Sequence, residues 1–257
     1  MLGARLRTAD SRETGGLTVS RGAAGRWRVA LIDGCGRWPG ALCAAAFSSR
    51  GGGVEQHAPG RDPTGHGTRI ANLLTEEVAG AEAGAPPASA AHGAVREGAP
   101  CELLLAQVFS SEAPATAAAV AAAIDWAVVN GGELLHMSIG LAADRAVLAA
   151  AVRRALAAGC IIVASTPARG RPVFPASYAD VIRATGDARC ASGEISILDA
   201  DLFGGCPRYA RVAGSSIGAA WVSRHIVRGP KLARAPLVAA LRAGAQYVGR
   251  ERRVGGH

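Results

Sequence analysis

Three side chains in this sequence could together activate a hydroxyl for attack on a carbonyl: Asp33, His66 and Ser216. A serine hydroxyl is a weak nucleophile until a base takes its proton. A histidine does this best when a carboxylate fixes its tautomer and stabilises its charged form. Asp33 follows the apolar run at 27–32 (WRVALI), which reads as a buried strand. His66 stands inside GHGT, where a helical pattern begins, and Ser216 opens a helix after the small residues Gly214 and Ser215. Strand ends and helix starts are where loops converge and free N–H groups gather in an open parallel sheet. Taken singly, each residue has an ordinary role: Asp33 as a turn former, His66 as a helix-start residue, Ser216 as a cap.

The elements that must position them follow from periodicity. Apolar runs at 102–109 (ELLLAQVF), 134–139 and 160–164 (CIIVA) read as further buried strands, with 181–185 and 195–198 as weaker candidates and 211–213 leading into a helix at 216–227. The pattern after His66 is helical, with Ile70, Leu73, Leu74 and Val78 sharing one face. Helices are also expected at 116–130, ended by Gly131 and Gly132, at 144–158 and at 235–247. The Gly-rich stretch 48–65 reads as loop, and 79–99, rich in Ala, Gly and Pro, as a surface connection. Strands alternating with helices of this length imply a largely parallel sheet covered on both faces.

The blocks around the three residues resemble the subtilase family of serine peptidases (subtilisin-like, peptidase family S8). VALIDGC is similar to the family's aspartate block, GHGTRIANLL to its histidine block and AGSSIGAAWVS to its serine block. Between them GAPCELLLAQVF, AIDWAVVNGGELLHMSIG, VRRALAAGCIIVAS and VFPASYADVIRATG resemble the connecting core segments, so the resemblance runs over about 29–227. It implies an α/β, three-layer subtilisin-like fold with a mainly parallel central sheet and helices on both faces. It also implies a catalytic triad of Asp33, His66 and Ser216, in the subtilisin order. Ser138, Ile139 and Gly140 would line the substrate cleft and pair as a strand edge with an extended peptide. The sequence departs from the pattern twice. Where the family has an Ala-Gly-Asn turn whose asparagine donates to the oxyanion, this chain reads Ser165, Thr166, Pro167, Ala168, which makes Thr166 and Ala168 the oxyanion region without that asparagine. In the serine block Thr-Ser-Met-Ala-x-Pro becomes Ser215 to Ala220, which keeps the serine and loses the proline.

With 257 residues, 49% of them apolar and 19% charged, the chain suits one globular domain. Its expected division is a polar extension at 1–28, a peptidase domain at 29–247 and a basic flexible tail at 248–257. The net charge of +8 favours acidic partners by long-range attraction. Nucleic acid is not expected, because the arginines are dispersed and no aromatic residues are interleaved with them for base stacking. No apolar run reaches the length of a signal peptide or a membrane span, so the sequence reads as a cytoplasmic protein. The six cysteines form no CxxC pair and read as reduced, mostly buried thiols, with a Cys190–Cys206 disulfide reserved for an oxidising compartment. Cys35 should pack beside the site, His57 and His92 should lie exposed in loops, and His136 should be a hydrogen-bonded core residue. No calcium-loop, Walker or Rossmann pattern occurs, and the expected chemistry needs no cofactor or metal. The first 28 residues are too short for the folded prosegment usual in secreted relatives. The expected function is therefore an intracellular processing endopeptidase that trims a precursor or leader peptide from a peptide or protein substrate, acidic ones favoured. The alternative is a catalytically weak or inactive module of the same fold that binds a peptide or partner protein.

Overall fold

The computed structural model describes residues 25–76, 99–110 and 114–251. Residues 79–98 of the expected connection, His92, most of the N-terminal extension, and Arg252 and Arg253 of the basic tail lie outside the described residues.

The apolar run predicted at 27–32 forms β1 (Trp27–Asp33), the middle of the sheet. Its residues alternate between two cores. Val29 and Leu31 pack on one side, and Ala30 and Ile32 on the other, as the two-residue period of a strand requires. Beside it run β2 (Cys43–Arg50), β3 (Gly53–His57) and β4 (Cys101–Gln107) on one flank. On the other flank come β5 (Leu134–Met137), β6 (Ile161–Ser165), β7 (Ile182–Gly186), β8 (Ile195–Asp199), β9 (Leu202–Gly205) and β12 (Tyr247–Val248). The ten strands take the order β12-β8-β9-β7-β6-β5-β1-β4-β2-β3, and β10 (Arg208–Tyr209) and β11 (Val212–Ala213) form a separate small ribbon. All pairs in the large sheet are parallel except β2 with β3 and β8 with β9.

Helices cover both faces, as the alternation of strands and helices predicted. On one face α1 (His66–Thr75), α4 (Ser215–Arg228) and α5 (Arg234–Ala243) bury Ile70, Leu73, Leu74, Ile217, Val222 and Leu237 against the sheet. On the other, α2 (Ala117–Val129) and α3 (Ala146–Ala157) bury small and branched residues such as Val120, Ile124, Leu148 and Val152. Thr116 caps α2 by accepting from the Ala119 N–H. The many small residues permit close contact: at Gly218 of α4 a Cβ would collide with the Thr185 carbonyl of β7.

Two expectations are corrected. The 48–65 stretch is not all loop, because β2 and β3 make a hairpin across Gly51 and Gly52, both at positive φ. This is the glycine turn that suits the twist of paired strands, and β3 gave no apolar signal because every residue in it is exposed. The last helix stops at Ala243 rather than 247, since Gly244 ends it and Tyr247 and Val248 pair with β8. Beyond β12, Gly249 N donates to Ile197 O, and Arg250 donates to the Ala168 carbonyl. The described cysteines are all free thiols, five buried and Cys43 half-buried.

Candidate functional site

Asp33 ends β1 with its carboxylate almost wholly buried, at 2% exposure. Its Oδ1 accepts the Gly34 N–H at 2.6 Å, and both oxygens lie 3.1 Å from His66 Nδ1. His66 is the first residue of α1, entered through Gly65 at φ 69. The helix can lie this close to β1 because residue 67 is glycine, whose missing Cβ would stand 2.7 Å from the Cys35 Cβ and 3.0 Å from Asp33 Oδ1. The bond to Asp33 raises the His66 pKa above its usual 6.5, against the opposing effect of burial and with help from the charges of Asp33 and Asp62. With Nδ1 facing the carboxylate, that nitrogen carries the proton and Nε2 is left as the basic atom.

The loop before His66 is organised by two polar side chains. Asp62 Oδ1 accepts from the N–H groups of Thr64 (3.2 Å) and Gly65 (2.8 Å), and its Oδ2 accepts from the N–H (2.8 Å) and the hydroxyl (2.7 Å) of Thr68. It supplies the N-terminal capping that Gly65 has no side chain to give. Gln107, buried at the end of β4, donates to the carbonyls of Gly34 (2.9 Å) and Arg61 (3.1 Å) and accepts the Gly60 N–H (2.7 Å). It joins the segment after Asp33 to the segment before His66.

Strand order sets the distance to the third residue. β5 alone separates β1 from β6, so the strand ends that carry Asp33 and Ser165 stand about 10 Å apart. The Ser165 hydroxyl donates to Ser215 Oγ at 3.5 Å, tying the end of β6 to the first turn of α4. Ser216 follows there, half-buried, on a helix packed against α1. The N-cap, Gly214, has no side chain to satisfy the first N–H groups of α4, which suits that turn to an anion.

No family model matches the chain. Over 129 residues, 47% of its length, it is 29% identical to subtilisin DY of Bacillus licheniformis, and the match spans 42% of that protein. It superposes on a mutant of the protease domain of PatA with a TM-score of 0.51, at 19% identity and 79% coverage of each chain. It superposes equally, TM-score 0.51 and 19% identity, on the prenylagaramide maturation protease PagA, covering 81% of this chain and 79% of that one. The chain has the subtilisin-like fold.

Within this subtilisin-like scaffold the structure brings Asp33 and His66 into direct contact. No hydrogen bond joins His66 to Ser216 among the described residues. Ser138 follows β5, between the two strand ends, and its Oγ is 2.9 Å from His136 Nε2. Ile139 is 2% exposed and packs into the α2–α3 core, so only its main chain can face a peptide. Gly140 is exposed, and a Cβ there would meet Val173 at 3.3 Å. Thr166 is buried and continues the ladder, its N–H donating to Ala184 O at 2.8 Å, whereas Ala168 is exposed.

Three other sequence readings hold in part or whole. Cys35 is fully buried, and burial pushes its thiol up to about 12, which keeps it protonated beside the site. His136 is fully buried between Ser223 Oγ at 2.8 Å and Ser138 Oγ. His57 is exposed as expected, but it closes β3 instead of standing in a loop. Asp62 and Gln107 were missed. The signal for Asp62 was a side-chain turn former four residues ahead of a helix start, and for Gln107 a polar residue ending an apolar strand. No helix among the described residues is long and apolar enough to cross a membrane.

Proposed function

We propose that this chain is a subtilisin-type serine endopeptidase that trims a precursor or leader peptide. The observation that carries the reading is the buried Asp33–His66 pair at the end of β1, supported by the end of β6, two strands away, where Ser165 is hydrogen-bonded to Ser215 in the first turn of α4. A peptide lies extended along 138–140, and its scissile carbonyl faces Ser216. His66 Nε2 takes the Ser216 proton as Oγ attacks the carbonyl carbon. Asp33 holds Nδ1–H and stabilises the imidazolium that forms. The Ser216 N–H donates to the tetrahedral oxygen. The imidazolium then protonates the leaving amine, which gives an acyl-enzyme, and water activated by the same histidine releases it. Trimming of a precursor is supported by the structural likeness to PagA, a maturation protease by name.

A second reading is a peptide-binding module with little turnover. It is favoured by the missing asparagine in the 165–168 turn and by the lack of a His66–Ser216 hydrogen bond. Catalytic contacts often tighten only with substrate bound, so the second point weighs less. A fluorophosphonate probe separates the readings. Covalent labelling of the native chain, lost in Ser216→Ala, supports the peptidase. A folded native chain that neither takes the label nor cuts any peptide of a diverse library supports the binding module.

A further inference from the structure

Behind the 166–168 turn lies a cleft of about 440 Å³ whose lining residues include four arginines: Arg169, Arg171, Arg183 and Arg250. They come from three separate parts of the chain. Arg169 and Arg171 follow β6 and are exposed, Arg183 is half-buried on β7, and Arg250 follows β12. Arg250 Nη1 donates to the Ala168 carbonyl at 3.0 Å, which draws the C-terminal segment over the turn.

The charge of this cleft is unmatched. Among the described residues none of these four arginines forms an ion pair, whereas Arg28, Arg154, Arg189 and Arg234 all do. The carboxylates closest in sequence act elsewhere. Asp180 pairs with Arg234 at 2.9 Å and Asp201 with Arg242 at 3.6 Å, and Glu251 raises the pKa of Arg189. Four like charges round one cavity repel one another until a counter-charge enters. The planar fork of arginine matches a carboxylate through two parallel hydrogen bonds.

Position relates the cleft to the site. Thr166 and Ala168 form part of its wall, and Ser165, one residue earlier, touches Ser215 beside the nucleophile. A peptide residue whose carbonyl lies against this turn has its side chain, or its neighbour's, within reach of the guanidiniums. We propose that this cleft receives an acidic side chain of the peptide, adjacent to the bond that is cut. The proposal rests on the peptidase reading and names its substrate class: peptides with Asp or Glu beside the scissile bond.

The test uses the full chain with Ser216→Ala and a series of labelled peptides in which one Glu is walked along a neutral sequence, each compared with its Gln counterpart. At one position Glu should bind at least about tenfold more tightly than Gln, the scale of one charge-assisted hydrogen bond, and the difference should shrink with salt. Arg171→Glu with Arg250→Glu changes two exposed residues, so a preserved melting temperature is expected. This double variant should lose the preference for Glu and favour Lys at the same position. Equal affinity for Glu and Gln peptides, or a preference that survives the double reversal, overturns the proposal. So does a gain that vanishes when the peptide's C-terminus is amidated, since the cleft would then be reading the terminal carboxylate. If the native chain cuts neutral peptides as fast as acidic ones, the proposal fails and the peptidase reading stands. If acidic peptides bind but the native chain takes no fluorophosphonate, the cleft stands as a carboxylate site and the peptidase reading fails.

Discussion

The guanidinium of Arg224, in α4, donates to the main-chain oxygen of Leu73, in α1, and to that of Glu76 just beyond the end of α1. Arg224 is 2% exposed and lies over the Trp221 ring, 5.5 Å from its centroid, while Tyr209 Oη donates to the Glu76 carboxylate. The last carbonyls of a helix have no partner within it. Here they are satisfied by the helix that starts at Ser215, so the two helices whose first turns carry His66 and Ser216 are fastened to each other.

Arg224→Met should therefore destabilise the fold. It leaves two carbonyls without their donor, each at about 1–3 kcal/mol when buried, and the expected loss is about 2–5 kcal/mol in urea unfolding. Arg224→Lys, with a single point charge in place of the fork, should recover only part of it. An unchanged midpoint in Arg224→Met would mean that water or another donor reaches these carbonyls.

His66 can accept the serine proton only when neutral, and its pKa is raised above 6.5 chiefly by the bond to Asp33. The rate should accordingly fall as pH drops, with a midpoint above 6.5 in the profile of kcat/KM. Asp33→Asn removes the main cause of the shift. It should move that midpoint down and reduce turnover by about 10,000-fold, the scale of the same change in other serine peptidases. A midpoint that does not move would remove Asp33 from its assigned role.

Stability should respond to acid through His136. Burial, with a smaller effect from the charge of His66, lowers its pKa to about 3. The groups that face it, Ser223 from α4 and Ser138 after β5, carry no charge. Between its usual 6.5 and about 3 the unfolded chain binds a proton that the folded chain refuses. Stability then falls with acidification, by up to about 1.4 kcal/mol per pH unit. His66 has the opposite sign, since its raised pKa gives stability at low pH that is lost as pH rises through that value. His136→Asn should flatten the acid limb of the unfolding midpoint measured against pH, and an unaltered limb would assign acid sensitivity to other groups.

What could be read from the sequence divides along physical lines. β1, β4, β5 and β6 are buried on both faces, so their apolar runs stand out. α1 and α4 announce themselves by Ile70, Leu73 and Leu74 and by small residues ending in an apolar face. β3 has no buried residue and leaves no hydrophobic trace, while β9 offers only the apolar pair Leu202 and Phe203 before two glycines, too short a run to read as a strand; both exist because a partner strand supplies the hydrogen bonds. The same split holds in the candidate site. Asp33, His66 and Ser216 lie in blocks with a recognisable pattern, whereas Gln107 and Arg224 act through main-chain atoms far along the sequence. Such bonds exist only once the chain has folded.

The last expectation concerns the turn after β6. Thr166 is still part of the ladder through its bond to Ala184 O, so the chain leaves the sheet at Pro167. Ala168 is exposed there, with its carbonyl held by Arg250 at 3.0 Å. In the resemblance to subtilases this is the position of the asparagine whose side chain donates to the tetrahedral oxygen. A donor fixed in advance stabilises that oxygen without reorganising at the moment of reaction, and losing one costs about 100- to 1,000-fold in turnover. Without it the oxygen depends on the Ser216 N–H and on whatever Thr166 or water contributes. Ala168→Asn should thus raise kcat on a cleaved peptide, by about tenfold or more if the amide reaches the oxygen, while KM changes little because the ground-state carbonyl carries less charge. Single-turnover kinetics on the native chain and the variant decide it. An unchanged rate in a folded Ala168→Asn protein would mean that another donor already fills the hole or that the turn is offset by one residue, and Pro167→Asn would then tell these two apart.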